Sequence, residues 1–285
     1  MKIFITGATG FIGSHLVQRL AQTEHQVTCL VRKTSDVRHL EKAGCSLVVG
    51  DVTDKSSFSE GMRGCDWVFN LANLYTLWEP DKHLYTWVNV HGTRSVMESA
   101  LETDVSKVIL VSTAGVFGNP ADHPFTEDSE VGPARFSEYS HTKYFGELLA
   151  WELRKNKALP LIVVYPGVVV GAGDTRITGQ YVRDFIRRRL PATVFEDSTF
   201  IYVHVKDVVE TILRTAEKEN NLGEKYLVGK YPLTYREYNQ MITELSGVPT
   251  PRIHLPDSVT SISATLATFL ANLIKIPPLW GMSTD

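Results

Sequence analysis

The stretch TGATGFIG at residues 6–13 constrains the fold of this chain more than any other segment. It follows a short β-branched apolar run and precedes a helical pattern, so its glycines stand at a strand-to-helix turn. Gly7, Gly10 and Gly13 allow a tight turn and a close approach of the backbone to another group. The helix that begins there offers free N–H groups and the positive end of its dipole to an anion. A glycine loop in this position predicts the binding of a dinucleotide diphosphate.

Short apolar runs alternate with helical patterns through the first two-thirds of the chain. Runs such as VILVS and LIVVYP are apolar almost throughout, which is typical of strands that are buried on both faces of a parallel sheet. Alternation at this spacing indicates successive βαβ units. We therefore predict an α/β fold, a Rossmann-type doubly wound parallel sheet with a smaller C-terminal substrate lobe.

The character of the sequence changes near Gly171. We predict that residues 1–170 form the dinucleotide-binding Rossmann domain and that residues 200–230 return to it. Residues 171–199 and 231–285 are expected to form the smaller substrate-binding lobe, either complete or truncated at its C-terminus.

Composition excludes several classes of protein. The 285 residues carry a net charge of −3, from 29 basic and 32 acidic residues, which argues against nucleic acid as a partner. The three cysteines form no Cys-x-x-Cys pair and the nine histidines show no metal-ligand spacing, so we expect no metal site and a reducing, cytoplasmic location. No apolar run is long enough for a transmembrane segment.

One late stretch, SISATLATFLANLIKIPPLW, has apolar residues at helical spacing. We expect this apolar helix face to dock onto the protein, with a membrane or partner surface as the alternative. The residues concerned are Ile262, Leu266, Phe269, Leu270 and Leu273.

The end of the second predicted strand bears on the type of dinucleotide. An acidic residue there would bind the ribose 2′-hydroxyl of NAD, whereas arginine suits the 2′-phosphate of NADP. Arg32 and Lys33 occupy this place, and Asp36 is the first carboxylate after them. The two cations favour NADP(H) over NAD(H), and a solvated basic turn without cofactor contact is the alternative.

The stretch YSHTK places Tyr139 four residues before Lys143, and this spacing puts both on one face of a helix. A free tyrosine has a pKa near 10, and a neighbouring cation favours its ionised form. The pair therefore predicts a proton donor and acceptor tuned by an ammonium group. An ordinary solvated helix face is the alternative when the pair is considered by itself.

Taken together, the motifs resemble the extended short-chain dehydrogenase/reductase family of the NAD-dependent epimerase/dehydratase type. The glycine loop, GDVTD, NLAN, NVHGT, VSTAGVFG, YSHTK, YPGVVVG and YVHVKDVV occur in the order of that family, over almost the whole chain. The stretch NLYTLWEPDKHLYTWVNVHGT is similar to the dihydroflavonol reductase-like branch, which includes hopanoid-associated sugar epimerase-like proteins.

The resemblance implies three catalytic residues. Tyr139 is the expected acid and base, Lys143 tunes it and binds the nicotinamide ribose, and Thr113 holds the substrate oxygen. Threonine stands where the family more often has serine, and Ser112 is the alternative.

The cofactor is expected to contact the glycine loop, the ends of the first strands and the YPGVVVG segment. The resemblance implies that Asp51 and Val52 flank the adenine, although Asp51 could instead cap the next turn. The full predicted set is Gly7, Thr9, Gly10, Phe11, Ile12, Gly13, Arg32, Lys33, Asp51, Val52, Leu71, Ala72, Asn73, Tyr139, Lys143, Tyr165, Pro166 and Val168.

The expected activity is that of an NAD(P)-dependent enzyme with a small-molecule substrate. An NADPH-dependent reductase of a carbonyl on a hydrophobic or aromatic substrate comes first, because Arg32 and Lys33 favour NADPH. Tyr75 and Trp78 could line its apolar pocket or belong to the core. The resemblance also suggests a homodimer.

A nucleotide-sugar epimerase or dehydratase with tightly bound NAD is the main alternative activity. Its substrate diphosphate could be held by a group of arginines that otherwise form a solvated helix face, namely Arg176, Arg183, Arg187, Arg188 and Arg189. A non-catalytic dinucleotide sensor is a remote alternative, because the three predicted catalytic residues are all present.

Overall fold

The computed structural model describes residues 1–76, 78–121 and 124–276, in which strands and helices alternate. The strands are β1 (Lys2–Thr6), β2 (Gln26–Val31), β3 (Ser46–Val49), β4 (Trp67–Asn70), β5 (Lys107–Val111), β6 (Leu161–Pro166), β7 (Val168–Val170), β8 (Thr199–His204), β9 (Lys225–Val228) and β10 (Tyr231–Thr234).

The helices are α1 (Phe11–Leu20), α2 (Arg38–Lys42), α3 (Ser59–Met62), α4 (His83–Thr86), α5 (Thr93–Glu102), α6 (Glu138–Lys157), α7 (Ile177–Ile186), α8 (Val205–Glu217), α9 (Tyr235–Ser246) and α10 (Asp257–Ile274). Three turns of other helical types accompany them in the described part of the chain. Two are 3-10 turns at Lys55–Ser57 and Ala114–Phe117, and one is a π-helical turn at Trp87–Gly92 that leads into α5.

The chain divides into two compact units. The first comprises Met1–Tyr75, His83–Pro166 and Val205–Val228, and it contains a seven-stranded sheet in the order β3-β2-β1-β4-β5-β6-β9. Every pair of neighbouring strands in this sheet is parallel. The strand order reverses between β1 and β4, and parallel sheets bind ligands at the carboxyl ends of the strands beside such a reversal.

The seven-stranded sheet is buried on both faces. Ile3 and Ile5 on β1 point to one face and Phe4 to the other, and none of the three side chains is exposed to solvent. All six residues of β6 are buried as well. Helices α1 and α8 contact each other, as do α5 and α6, and these helices flank the sheet. The predicted doubly wound parallel sheet is confirmed.

The second unit comprises Thr76–Lys82, Gly167–His204 and the chain from Gly229 onwards. It contains a three-stranded sheet in the order β10-β8-β7, in which β8 runs antiparallel to β10 and parallel to β7. That this unit binds the substrate, as expected for residues 171–199 and 231–285, stays a prediction.

Helix α10 forms where the apolar spacing indicates, but the expected docking of its apolar face is wrong for the described residues. The buried side consists of the small residues Thr260, Ala264, Thr268 and Ala271. The bulky residues stay in solvent, and Ile262 and Leu273 are each 70% exposed. Small side chains let the helix backbone approach its neighbours closely, which the pattern of apolar residues does not show. Within the described residues, no helix combines the length and the apolar character needed to cross a membrane.

We predict that Gly7→Ala lowers the free energy of unfolding more than Gly44→Ala does. Both glycines have a left-handed backbone, with φ of 74° and 76°. A Cβ at Gly44 would meet no atom within 4 Å, whereas a Cβ at Gly7 would lie 2.7 Å from the Ala72 nitrogen. The backbone strain common to both changes costs about 1–2 kcal/mol, and the overlap at Gly7 adds about 1–3 kcal/mol. Urea unfolding of the two variants measures the difference, and equal losses would contradict this account of the loop.

Candidate active site at the carboxyl ends of the strands

The glycine loop joins β1 to α1 through close backbone contacts. A Cβ on Gly7 would overlap the peptide between Leu71 and Ala72, and a Cβ on Gly13 would lie 2.2 Å from the Gly7 oxygen. Gly10 differs, because it is exposed and a Cβ there would approach only the Gly7 oxygen, at 3.2 Å. Gly7 and Gly13 therefore serve the packing of the loop, and Gly10 leaves a surface open for a ligand.

The start of α1 fits an anionic group. No side chain caps this helix, and its first turn contains no acidic residue. Thr9 is exposed beside the loop, while Phe11 and Ile12 are half-buried in the first turn. The free N–H groups and the open position at Gly10 form a cradle that suits a dinucleotide diphosphate.

A buried hydrogen-bond chain ties the ends of β1 and β4 together. The Thr6 hydroxyl donates to the Asn70 side-chain oxygen at 2.6 Å and accepts from the Ala72 N–H at 3.2 Å. The Asn73 side chain donates to the Leu71 carbonyl at 2.9 Å. The segment from Leu71 to Asn73, predicted to line the ribose, is thus fixed at the point where the strand order reverses.

Two cations follow β2, as the predicted cofactor preference requires. Arg32 and Lys33 are both exposed, and neither forms an ion pair within the part of the chain that the structure describes. Asp36 is engaged locally, since its carboxylate accepts from the Arg38 Nε at 2.9 Å. The hydrogen bonds from Arg38 hold the pKa of Asp36 well below its ordinary value. The nearest carboxylate after β2 is therefore already bound to an arginine.

Asp51 and Val52 follow β3 and have different surroundings. The Asp51 carboxylate accepts from the Thr53 N–H at 3.0 Å and from the Thr53 hydroxyl at 2.8 Å, so it does cap the next turn. Val52 is buried in the hydrophobic core. A Cβ on Gly92 would lie 2.8 Å from a Val52 methyl group, which shows how tightly this site is packed.

Helix α6 carries Tyr139 and Lys143 to the end of β5. The Ser137 hydroxyl caps the helix by accepting from the Ser140 N–H at 3.1 Å, which places Tyr139 in the first turn. The Lys143 ammonium donates to the Val111 carbonyl at 2.8 Å in a buried contact. Val111 is the last residue of β5 and precedes Thr113 by two residues. The hydrogen bond therefore ties the Lys143 ammonium to the strand end that Thr113 follows.

Burial controls the titration of this pair. It lowers the pKa of Lys143 from 10.5 to about 8, and the negative charge of Glu147 opposes that decrease. Burial, with a smaller effect of Tyr75, raises the pKa of Tyr139 well above its ordinary value. The Tyr139 hydroxyl donates no hydrogen bond to any described residue. The structure therefore has a protonated phenol with a free donor beside a buried ammonium.

The two hydroxyls after β5 have different partners. Ser112 is buried, and its hydroxyl donates to the Glu147 carboxylate at 2.7 Å. Thr113 is half-buried, and its hydroxyl oxygen accepts from the Gly115 N–H at 3.2 Å, which leaves its proton available. A substrate oxygen needs a donor that is not already used. The contacts therefore favour Thr113 over Ser112 for this role.

Tyr165, Pro166 and Val168 lie on two different strands. The Tyr165 side chain is buried, and its hydroxyl donates to the Glu147 carboxylate at 2.5 Å. Pro166 ends β6, whereas Val168 begins β7 in the second unit. Of these three, the Tyr165 ring belongs to the core of the first unit, where it packs edge-on against Phe117 at 5.2 Å between ring centroids.

The two aromatic residues predicted either to line a pocket or to join the core separate in the structure. The Tyr75 ring is 40% exposed and packs against Tyr139, with 4.9 Å between ring centroids and 63° between ring planes. Trp78 is buried in the second unit, where its indole N–H donates to the Asn272 side chain at 3.0 Å. Tyr75 is therefore an aromatic neighbour of the candidate catalytic phenol.

Asn89 is a residue of the site that the sequence analysis did not single out by itself. It is buried, and its side chain accepts from the Leu74 N–H at 2.7 Å and donates to the Thr142 hydroxyl at 3.0 Å. This contact ties the segment before Tyr75 to α6. Asn89 could have been noticed in the sequence because it is the first residue of NVHGT, one of the motifs that carry the family resemblance.

The second unit contains a cavity of about 450 Å³ beside α7. Asp174, Arg183, Arg187 and Tyr238 are among the residues that line it. Asp174 accepts from backbone N–H groups at the start of α7, including that of Gly179 at 2.8 Å. Arg176, Arg188 and Arg189 are exposed and do not line the cavity.

Comparison with known proteins identifies the class of this chain. The model of the NAD dependent epimerase/dehydratase family matches residues 3–229. The chain therefore belongs to this family, and it is an NAD(P)-dependent enzyme that acts on a small molecule. The resemblance deduced from the motifs and the expectation of an enzyme are confirmed.

Individual relatives and structures agree with this assignment. A protein of Synechocystis sp. named for dihydroflavonol 4-reductase is 27% identical over 260 residues, which cover 89% of this chain and 75% of that protein. Sterol demethylase protein B of Methylococcus capsulatus is 30% identical over 259 residues, covering 90% and 78% of the two chains. The crystal structure of gox2253 superimposes with a TM-score of 0.84 and 31% identity, over 97% of this chain and 84% of that one.

We predict that the burial of Lys143 makes the free energy of unfolding increase with pH in the alkaline range. Its pKa is about 8 in the folded protein and 10.5 in the unfolded chain. Between these pH values the unfolded chain binds more protons, so the free energy of unfolding of the unmodified protein rises with pH. Lys143→Met lacks this contribution. The free energy of unfolding of the variant, relative to that of the unmodified protein, should therefore decrease by about 3 kcal/mol between pH 8 and pH 10.5, at about 1.4 kcal/mol per pH unit.

Urea unfolding at pH 7.5, 9 and 10.5 measures this difference. Lys157→Met is the control, because Lys157 is exposed on the same helix and its removal should give a difference that does not change with pH. If the stability difference between Lys143→Met and the unmodified protein also did not change with pH, burial would not lower the pKa of Lys143.

Proposed function

We propose that the protein is an NADPH-dependent reductase that converts a carbonyl on a small hydrophobic or aromatic substrate to an alcohol. The observation that carries the proposal is the contact of the Lys143 ammonium with the Val111 carbonyl. That contact brings Tyr139, one helical turn earlier, and Thr113, two residues further along the chain, to the edge of the sheet that holds the glycine loop.

Reduction of a carbonyl requires a hydride at carbon and a proton at oxygen. NADPH bound along the glycine loop would supply the hydride. The Tyr139 hydroxyl donates its proton to the oxygen as negative charge develops there. The Thr113 hydroxyl donates a hydrogen bond to the same oxygen and holds it in place. The Lys143 ammonium then stabilises the phenolate that remains on Tyr139.

The protonation state of Tyr139 supports the reductive direction. Its pKa lies above the ordinary value for tyrosine because the half-buried side chain is shielded from water at its hydroxyl group. A phenol with a raised pKa stays protonated at neutral pH, which is the form that a proton donor needs. Oxidation of an alcohol would instead need the phenolate, which only the field of nearby cations makes accessible.

The exposed pair of cations supports NADPH, and an aromatic contact supports the substrate class. Arg32 and Lys33 are free to bind a 2′-phosphate, whereas Asp36 is held by Arg38. Tyr75 packs on Tyr139 and offers an exposed aromatic surface to a hydrophobic substrate. The relatives named for dihydroflavonol reductase and sterol demethylase are named for substrates of this hydrophobic kind.

A nucleotide-sugar epimerase or dehydratase is the second candidate, and the cavity beside α7 favours it. Arg183 and Arg187 lie one helical turn apart on that cavity and form no ion pair within the described residues. Two free guanidinium groups at this spacing suit a diphosphate. Such an enzyme returns the hydride to its substrate and therefore retains its cofactor.

Two measurements separate the candidates. Freshly purified protein is denatured and the released dinucleotide is identified by chromatography. The protein is then assayed for NADPH oxidation with a panel of aromatic and sterol-like ketones, and for epimerisation of nucleotide sugars. Little bound cofactor together with ketone-dependent NADPH oxidation supports the reductase. Near-stoichiometric NAD together with turnover of a nucleotide sugar would overturn it in favour of the epimerase.

We predict that Tyr139→Phe lowers kcat by at least about 100-fold, because loss of a general acid removes a contribution of about 10²–10⁴. The dissociation constant for NADPH should change far less than kcat, since phenylalanine keeps the ring that packs against Tyr75. Steady-state kinetics and fluorescence titration measure the two effects. Tyr144→Phe removes a neighbouring phenol from the same helix and should keep its activity. Equal activity of both variants would exclude Tyr139 as the proton donor.

We predict that replacing Arg32 and Lys33 by serine weakens NADPH binding at least about tenfold, the effect of losing one charge-assisted contact. Binding of NADH should stay nearly constant, because it lacks the 2′-phosphate. Lys42→Ser is the control, since it removes an exposed cation from α2. Parallel losses of NADPH and NADH affinity in the double variant would show that these cations do not bind the phosphate.

The homodimer and the cytoplasmic location suggested by the sequence stay predictions.

A further inference from the structure

Glu147 is a buried carboxylate whose role the proposed reaction leaves open. It lies one helical turn after Lys143 on α6 and is 8% exposed. Its two oxygens accept three hydrogen bonds, from the Ser112 hydroxyl at 2.7 Å, the Trp151 indole N–H at 3.1 Å and the Tyr165 hydroxyl at 2.5 Å. These donors lie at the end of β5, on α6 and on β6.

None of the three donors carries a positive charge. Glu147 forms no direct ion pair with any described residue, so its negative charge is held by neutral groups alone. Burying an ion is unfavourable unless hydrogen bonds and an opposite charge nearby compensate the lost hydration. The ammonium of Lys143 is such a charge, and Glu147 acts on it across one helical turn.

Lys143 needs such support. Its side chain is buried, and the Val111 carbonyl is its hydrogen-bond acceptor. A buried ammonium without a negative charge nearby loses its proton at lower pH, and fully buried lysines can titrate near pH 5–6. A neutral amine would neither stabilise a phenolate nor favour its formation.

The other titratable groups around Lys143 do not provide this charge. Tyr139 lies one turn earlier on α6 and Tyr165 lies on β6, and burial raises the pKa of both phenols, which keeps them neutral. Tyr75 packs against the Tyr139 ring. His91, on the π-helical turn that packs against α6, is exposed, and its ring lies 5.1 Å from the Trp87 ring at an interplanar angle of 58°. Glu147 is the described ionisable group whose charge supports the ammonium.

We propose that Glu147 is a positioning residue for the proposed reduction: its buried carboxylate keeps the Lys143 ammonium charged and anchors Ser112, next to Thr113. It contacts neither substrate nor cofactor in this role and acts only through its neighbours. The inference rests on the proposed function for its link to catalysis, whereas its effect on Lys143 can be measured without any substrate.

The test compares Glu147→Gln with Trp151→Phe. The first change removes the negative charge and keeps the shape, whereas the second removes one hydrogen bond and keeps the charge. The pKa of Lys143 is measured by NMR of proteins with ¹³C-labelled lysine, with the signal assigned by its loss in Lys143→Met. Glu147→Gln should lower that pKa by about one pH unit or more, and Trp151→Phe should leave it unchanged.

The pH dependence of kcat/KM for ketone reduction is the second readout. The decrease of kcat/KM at alkaline pH should begin at a lower pH in Glu147→Gln and at an unchanged pH in Trp151→Phe. Equal pKa values for Lys143 in both variants would overturn the proposal and leave Glu147 with a purely structural role. A shifted pKa in a protein that reduces no ketone would retain the electrostatic role and refute the proposed function.

The unmodified protein provides a further test should Glu147→Gln fail to fold. Lys143 should then titrate near pH 8 in the unmodified protein, as expected for a buried ammonium with a negative charge nearby. A value of about 6 or lower would show that the carboxylate does not sustain the charge, and this would also overturn the proposal.

Discussion

The buried ammonium of Lys143 is the interaction on which the candidate site depends. It donates to the Val111 carbonyl and so ties α6 to the end of β5. A charge in this position is costly to bury, and its environment compensates with one carbonyl and the field of one carboxylate. The contact fixes the face of α6 that looks towards the sheet edge, and with it the place of Tyr139. It also brings that phenol to the strand end from which Thr113 projects.

The glycine loop contributes a different kind of rigidity. Gly7 and Gly13 allow backbone atoms to meet where a Cβ would overlap a peptide group, so the start of α1 lies against β1 and the end of β4. Thr6 and Asn70 reinforce this meeting of strands with a buried hydrogen bond. The N–H groups at the start of α1 and the candidate proton-donating side chains thus belong to one edge of the sheet, which suits chemistry that depends on precise placement.

Local physics made much of this arrangement predictable. Short apolar runs rich in β-branched residues, such as LIVVYP, are typical of strands buried on both faces of a parallel sheet. The spacing of Tyr139 and Lys143 determined that they share a helix face, because the period of the helix is set by its backbone. The cations after β2 could be located from the strand pattern alone, as their place follows directly from the end of a strand.

Other features depended on neighbours that are distant in sequence. Ser112 and Thr113 are equivalent as isolated hydroxyls, and only the approach of Glu147 from α6 shows that Ser112 is already used. Tyr75 and Trp78 have similar chemistry, yet one packs on Tyr139 and the other on Asn272. The apolar spacing of α10 indicates a helix but not its buried side, which small residues decide by close packing.

The sequence by itself therefore determined the class of fold and the position of the glycine loop, which follow from backbone geometry and from spacing along single elements. The candidate catalytic groups came from the family resemblance that its motifs carry. Only the tertiary structure decided which hydroxyl is free, which aromatic ring borders the site and which carboxylate supports the ammonium. These three features depend on contacts between elements that are distant in sequence. At such contacts, burial and desolvation set the free energy of a polar group, and the local sequence pattern does not show them.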